Sequence, residues 1–355
     1  GVLWLLSMEN QTSGVRAGFL CDEMGLGKSI QLIATMLGNP KPRTLIIVPK
    51  SIITQWSEEI KRFAPNLTIN IFDGPDRRIR EADVTIAPYS LLSIHEKSPL
   101  HMVQWDRVVL DEAHEIRNKK SKLFKSVCRL QTQIKWIVTG TPVFNSMEDF
   151  VSLCTFLGLS KIVVQGMTQK IKDIYILRRT KEDLAKINER LRLPPCYFEN
   201  VELEMFPDEK QLYEIVFLEA QDTIREAFRY AQSLNAKNMV ILECLLRARQ
   251  AMIWPQMYLD GVAKQNETQP EKWVGRSNKM ETLFRMIDGH PDEKTLIFCQ
   301  FRGEMNYIQK NVTRPVYRID GSVPKDDRVG QIEGFKKAPP GAVFIIQIKC
   351  GGQGL

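Results

Sequence analysis

The sequence predicts an α/β protein: two doubly wound parallel-sheet lobes with a helical insert between them, the second lobe incomplete. Three observations carry this. Apolar runs such as "TLIIVP", "RVVL" and "AVFIIQI" are of strand length and nearly continuous, as strands covered on both faces are. Helical patterns separate these runs, as parallel strand pairs require. Between 183 and 275 two long helical patterns interrupt the alternation, which then returns.

In chain order, "AGFLC" is a strand leading through a glycine turn into the helix "SIQLIATML", with Ile30, Ile33, Ala34 and Leu37 on one face. The strand "TLIIVP" precedes "SIITQWSEEIKRF", a helix capped by Ser51 and striped by Ile53, Trp56, Ile60 and Phe63. "LTINIF", "DVTIAP", "RVVL" and "WIVTG" complete the strands of the first lobe, 1–182. In the insert, 183–275, "CYFENVELEMF" alternates with period two, two long helices follow, and "LDGVAKQNETQPEKW" is a polar loop. The second lobe, 276–355, has the strands "TLIFCQF", "VYRIDG" and "AVFIIQI" and a helix over 325–337.

Composition narrows the function classes. The 355 residues are 43% hydrophobic and 26% charged, which excludes a disordered chain and gives room for two cores. A net charge of +7 permits an anionic partner such as nucleic acid without requiring one. Seven scattered cysteines form no C-x-x-C pair, which argues against a zinc ribbon or RING module and fits a reducing compartment. No apolar run is long enough for a membrane helix, and "GVLWLL" lacks the flanks of a signal peptide. The chain starts with Gly and stops at "GGQGL", so it reads as a piece of something longer.

Three segments carry chemistry. In "CDEMGLGKSIQ" a strand ends in a turn holding Gly25, Leu26, Gly27, Lys28 and Ser29 before a helix. Glycines let backbone N–H groups approach phosphate oxygens, a lysine meets the β/γ charge, and a hydroxyl serves Mg²⁺. The strict pattern G-x-x-x-x-G-K-[ST] fails, because Asp22 stands where its first glycine would be. "RVVLDEAH" is a buried strand delivering Asp111 and Glu112 to the carboxyl edge of the sheet, where doubly wound folds bind ligands. There Asp111 suits a Mg²⁺ ligand and Glu112 a group that polarises water. "WIVTGTPVFN" brings Thr139, Gly140 and Thr141 to the same edge.

Those segments, with "TLIIVPKSIITQW", "LRRTKEDL", "KTLIFCQF", "YRIDGSVPKDDR" and "KCGGQGL", occur in an order that resembles the Swi/Snf-type branch of helicase superfamily two. In that branch the phosphate loop is spelled D-E-M-G-L-G-K-[ST], so Asp22 is the expected residue. The resemblance implies two RecA-like lobes, ATP and Mg²⁺ as cofactors, and ATP-dependent translocation on double-stranded DNA. It implies that Gly25, Leu26, Gly27, Lys28 and Ser29 hold the nucleotide, that Ser29 and Asp111 hold the metal, and that Lys28, Asp111 and Glu112 are catalytic. His114, Thr139 and Thr141 would couple nucleotide state to DNA grip. Lys50, Trp56, Gly321, Lys349, Gly351 and Gly352 would face DNA, through backbone contacts that are sequence-independent and salt-sensitive.

Departures sharpen the resemblance. Phe144 stands where the branch usually has Gln, and Gln347-Ile348 replaces Ser-Thr. The short stretch between "FLGL" and "LRRTK" points to a compact translocase, and "LLRARQAMIWPQM" resembles the post-replication-repair branch. The adenine motif is expected before Gly1 and the arginine finger beyond Leu355. Without that arginine this chain is expected to hydrolyse ATP poorly, by on the order of 10³-fold or more. Chromatin or repair proteins are the expected partners and the nucleus the expected location, with the cytoplasm as the alternative for a bacterial or viral source. The rival readings are a superfamily-two motor acting on RNA or unwinding duplexes, and a non-catalytic DNA-binding scaffold. Arg178 and Arg179 fit a hinge or a DNA contact equally; His95, His101 and His290 read as solvated, and Trp254 and Trp273 as packing.

Overall fold

The strand-length apolar runs form two all-parallel sheets, one in each of two compact units, Gly1–Cys196 and Tyr197–Leu355. The computed structural model describes residues 1–351 apart from 76, 95–97, 117, 141–145, 190, 191, 193, 231 and 232. The first unit holds β1 (Ala17–Leu20), β2 (Thr44–Val48), β3 (Ile69–Ile71), β4 (Val84–Pro88), β5 (Trp105–Asp111), β6 (Thr132–Val138) and β7 (Ile176–Leu177). They lie in the order β3-β4-β2-β5-β6-β1-β7. Register aligns Leu20 and Asp111 with Val138 on the strand between them, so β1, β6 and β5 end level at one edge.

Both faces of this sheet are covered, which explains the missing alternation in its strands. Leu45 and Ile47 of β2 enter one apolar layer with Phe19, Val108 and Leu110. Ile46 and Val48 enter the other with Leu20, Val109 and Trp136. Successive side chains of a strand point to opposite faces, so a strand between two layers is largely apolar on both.

Two helix expectations need correction. In the helix Lys28–Gly38 the buried stripe is Leu32, Ile33 and Met36, while Ile30 and Leu37 are exposed. In the helix Ile53–Phe63 the N-cap is Ile52 with no side-chain cap, because Lys50–Ile52 already form a 3₁₀ turn; Phe63 is exposed.

The second unit contains the helices Pro207–Tyr230, Leu234–Ile253 and Pro255–Gln265, then β8 (Thr295–Cys299), β9 (Val316–Ile319) and β10 (Val343–Gln347) in the order β8-β10-β9. The alternating "CYFENVELEMF" forms no strand: residues 197–206 have no regular structure and are mostly exposed, so nothing rewards the pattern with burial. Much of the expected loop "LDGVAKQNETQPEKW" is helical, started by Pro255 in the first turn, where its missing N–H costs nothing. Trp254 does pack, stacked on Tyr307 at 3.9 Å between ring centroids. Among the described residues no helix is long and apolar enough to cross a membrane.

Candidate nucleotide site

The loop after β1 carries two glycines with left-handed backbone, Gly25 (φ 86°) and Gly27 (φ 70°). A residue with a Cβ would be strained at either. Gly27 is the N-cap of the helix Lys28–Gly38, so the free N–H groups of its first turn face the loop's concavity, the arrangement that binds phosphate. Lys28 Nζ folds back onto this loop and donates to the carbonyl oxygens of Asp22 (2.9 Å) and Glu23 (3.4 Å).

Asp22 is fully buried and serves as the loop's anchor. Its Oδ1 accepts the backbone N–H and Nε of Arg179, both at 3.1 Å; its Oδ2 accepts Arg179 Nη2 and, at 3.0 Å, Gln31 Nε2. Neighbouring residues continue the clasp: Cys21 N–H donates to Leu177 O (2.7 Å), Glu23 N–H to Arg179 O (3.0 Å), and Lys181 N–H to Glu23 Oε2 (2.8 Å). The glycine loop is thus strapped to the segment after β7. Arg179 spends its guanidinium on Asp22 and Gln31. Replacing Asp22 by Ala strands the guanidinium and is expected to lower the first unit's stability by about 2–4 kcal/mol. Urea unfolding checks this; a loss under about 0.5 kcal/mol would show the clasp to be idle.

At the end of β5, Asp111 is nearly buried. Its Oδ2 accepts the indole N–H of Trp56 at 2.8 Å, its Oδ1 accepts the Glu112 N–H at 2.9 Å, and its carbonyl accepts the Tyr89 hydroxyl at 2.8 Å. Burial keeps that phenol well above its usual range, so it remains a donor. Burial also pushes the Asp111 carboxyl up to about 6, against the lowering effect of the Trp56 hydrogen bond. Such a group is a buried anion short of a counter-charge.

Glu112 adopts a left-handed backbone (φ 51°), a conformation that costs a non-glycine residue about 1 kcal/mol and that concentrates at functional sites. Its Oε2 lies 3.2 Å from His114 Nδ1. At the end of β6, Thr139 is buried and its N–H donates to Leu20 O at 3.2 Å. A methyl placed on Gly140 would come within 3.3 Å of Lys28 Nζ and 2.6 Å of Met24 Cγ, so this loop lies against the glycine loop after β1.

The structure therefore brings Gly25, Leu26, Gly27, Lys28, Ser29, Asp111, Glu112, His114 and Thr139 to one edge of one sheet. Thr141 lies outside the described residues, as do Phe144, His95 and Gly352. Trp56 departs from its expected place on a DNA-facing surface: it is 1% exposed, and its one polar atom is spent on Asp111. Lys50 is exposed and paired with Asp73 at 3.1 Å. His101 is tied to the Ser126 carbonyl at 2.9 Å and is not simply solvated.

In the second unit Gly321 and Lys349 are exposed, and Gly351 ends the short helix after β10. Here Gln347, part of the departure from the branch pattern, ties together the segments that follow β8, β9 and β10. Its Oε1 accepts the Gly321 N–H (3.2 Å) and Cys350 Sγ–H (3.3 Å), and its Nε2 donates to Gln300 O (3.3 Å). Sequence reasoning missed this role, and those of Tyr89 and Asp22. The signal for Tyr89 and Trp56 was their polar atom in a buried setting, which must find a partner.

The donor set fits a magnesium nucleotide. Among the described residues no group of three or more His, Cys, Asp or Glu side chains is placed to hold a metal. Mg²⁺ needs no such cage, since it keeps waters and phosphate oxygens and takes one or two protein ligands.

The SNF2-related domain family matches residues 1–257, and the family of the helicase conserved C-terminal domain matches residues 278–355. The chain is 30% identical to the Bacillus subtilis protein YwqA, whose name describes an ATP-dependent helicase/translocase, over the whole chain and 41% of that protein. It is 29% identical, over 36% of the relative, to the mouse SWI/SNF-related matrix-associated actin-dependent regulator of chromatin subfamily A member 1. A solved Sulfolobus solfataricus SWI2/SNF2 ATPase core in complex with double-stranded DNA matches 98% of the chain and 76% of its own length at 27% identity and a TM-score of 0.47. The chain thus spans well under half the length of these two full-length relatives. With the match covering residues 1–257 of 355, the chain belongs to the SNF2-related domain family.

Proposed function

We propose that the chain is the ATPase portion of a motor that translocates on double-stranded DNA. The observation that carries this reading is the convergence of Lys28, Asp111, Glu112 and Gly140 on one sheet edge, with the glycine loop shaped for phosphate. Family membership and the names of the relatives support it.

In this reading Gly25–Ser29 wrap the phosphates, and Lys28 exchanges its loop carbonyls for phosphate oxygens. Ser29 and Asp111 would hold Mg²⁺, which when bound would supply positive charge to offset that of the phosphates. Glu112, held by its left-handed backbone, takes the proton of the attacking water. His114, Thr139 and Thr141 connect this edge to the DNA grip, and Lys50, Gly321, Lys349, Gly351 and Gly352 meet the DNA backbone. Residues 1–182 and 276–355 act as the two lobes, with 183–275 as the helical insert. Chromatin or repair proteins are the proposed partners. The nucleus is the proposed location on the strength of the chromatin-named relatives; the B. subtilis relative favours the cytoplasmic alternative.

Hydrolysis, expected to be slow in this chain and so followed at high protein concentration, tests the proposal when double-stranded DNA, single-stranded DNA and RNA are compared. Stimulation by double-stranded DNA, lost at least about 100-fold in Lys28→Ala, is expected. Equal activity in that variant would sink the site assignment, stimulation by RNA alone would favour an RNA motor, and DNA binding with no nucleotide binding would leave a scaffold.

A further inference from the structure

We infer that Trp56 is a positioning residue that fixes the Asp111 carboxylate for its cation, an inference that rests on the nucleotide-site reading above. Trp56 stands in the helix Ile53–Phe63, which follows β2 through the 3₁₀ turn Lys50–Ile52. β2 and β5 are direct neighbours in the sheet, so this helix starts beside the edge where β5 delivers Asp111. From there the buried indole reaches Asp111 Oδ2 at 2.8 Å.

Three tryptophans of the first unit are fully buried, and what their N–H groups meet separates them. Trp105 donates to a backbone carbonyl, that of Leu100, at 2.8 Å. Trp136 donates to Glu9, whose charge is balanced by Arg107. Trp56 donates to a carboxylate that has no salt bridge among the described residues. The distinction is chemical. A lysine or arginine at this place would orient Asp111 but also neutralise it, and the site would lose its hold on a cation. An indole N–H orients the same oxygen and leaves the negative charge in place.

The remaining bonds complete the constraint. With Oδ2 held by Trp56 and Oδ1 by the Glu112 N–H, the carboxylate cannot rotate without losing one of them. The Tyr89 hydroxyl fixes the backbone carbonyl of the same residue. Neighbours that orient a metal ligand in this way typically change metal affinity by about 10–100-fold when removed.

The test uses direct binding of a fluorescent ATP analogue to the full chain across a Mg²⁺ titration. Trp56→Phe keeps an aromatic ring in the core and removes the donor; 3-benzothienylalanine at position 56 keeps the shape of the indole without its N–H, should the smaller ring unfold the protein. Half-saturating Mg²⁺ is expected to rise about 10-fold or more in either variant. Nucleotide affinity in EDTA is expected to stay within about twofold of wild type, which a general loosening of the fold would not allow. Wild-type Mg²⁺ dependence in a folded variant lacking the N–H overturns the inference while Asp111→Asn, losing that dependence, upholds the site. A wild-type protein whose nucleotide binding ignores Mg²⁺ overturns both.

Discussion

Glu112→Gln is expected to slow nucleotide turnover by about 10³-fold while leaving nucleotide affinity within a few-fold of wild type. The substitution keeps volume and shape, and the backbone that aims the side chain is held independently of its carboxylate. Asp111 Oδ1 accepts the Glu112 N–H at 2.9 Å, and Tyr89 fixes the preceding carbonyl. What the amide loses is the ability to accept a proton. The left-handed φ of 51° is otherwise unfavourable for glutamate, and its retention at the end of β5 is what a side chain aimed for chemistry requires. Single-turnover hydrolysis and equilibrium binding on the same preparation separate the two effects. A variant that turns over within tenfold of wild type would remove Glu112 from the role of base; a variant that also loses binding would make it structural.

The elements that position this site were legible because each announces itself locally. The "LIIV" of β2 and the "VVL" of β5 are apolar runs ended by Pro49 or by an acid, and Gly25 and Gly27 mark a turn that only glycine adopts without strain. What was not legible depends on partners distant in sequence. The Trp56–Asp111 bond spans 55 residues and the Asp22–Arg179 clasp 157, and nothing in either segment names its counterpart. Asp22 could be matched to a family spelling, but its physical role, a buried anchor for an arginine beyond β7, exists only in the fold. The phase of the helix Lys28–Gly38 was misread for a different reason. With apolar residues at 30, 32, 33, 34, 36 and 37, two stripes are possible, and the sheet selects Leu32, Ile33 and Met36. In 197–206 the period-two pattern had no neighbouring strand to complete it.

Arg107→Ala is expected to destabilise the first unit by about 3–5 kcal/mol, enough to threaten its folding at ordinary temperatures. Arg107 is fully buried on β5 beside Glu9, which is 2% exposed. Its Nε donates to Glu9 Oε1 at 2.6 Å, Nη2 to Glu9 Oε2 at 2.5 Å and to Asn39 O at 2.8 Å, and Nη1 to Thr44 Oγ1 at 3.2 Å. Glu9 also accepts Trp136 Nε1 at 2.9 Å and Asn39 Nδ2 at 2.7 Å. Removing the guanidinium leaves a buried carboxylate with two neutral donors and no counter-charge. Arg107→Lys is expected to fall short as well, since a single ammonium cannot reproduce the two-pronged geometry. The pair Glu9→Leu with Arg107→Met removes both charges and is expected to recover most of the loss, because a buried ion pair costs more when halved than when absent. Urea unfolding of these variants, and of Glu9→Leu and Arg107→Met singly, measures this, and additive losses in the double variant would show that the two charges do not depend on each other. Register places Arg107 opposite Thr44 at the start of β2, four residues before Asp111 on the same strand, or about 13 Å along it. Any Arg107 variant that still folds should therefore bind magnesium nucleotide as the wild type does, which separates the network that holds the sheet from the edge proposed to bind nucleotide.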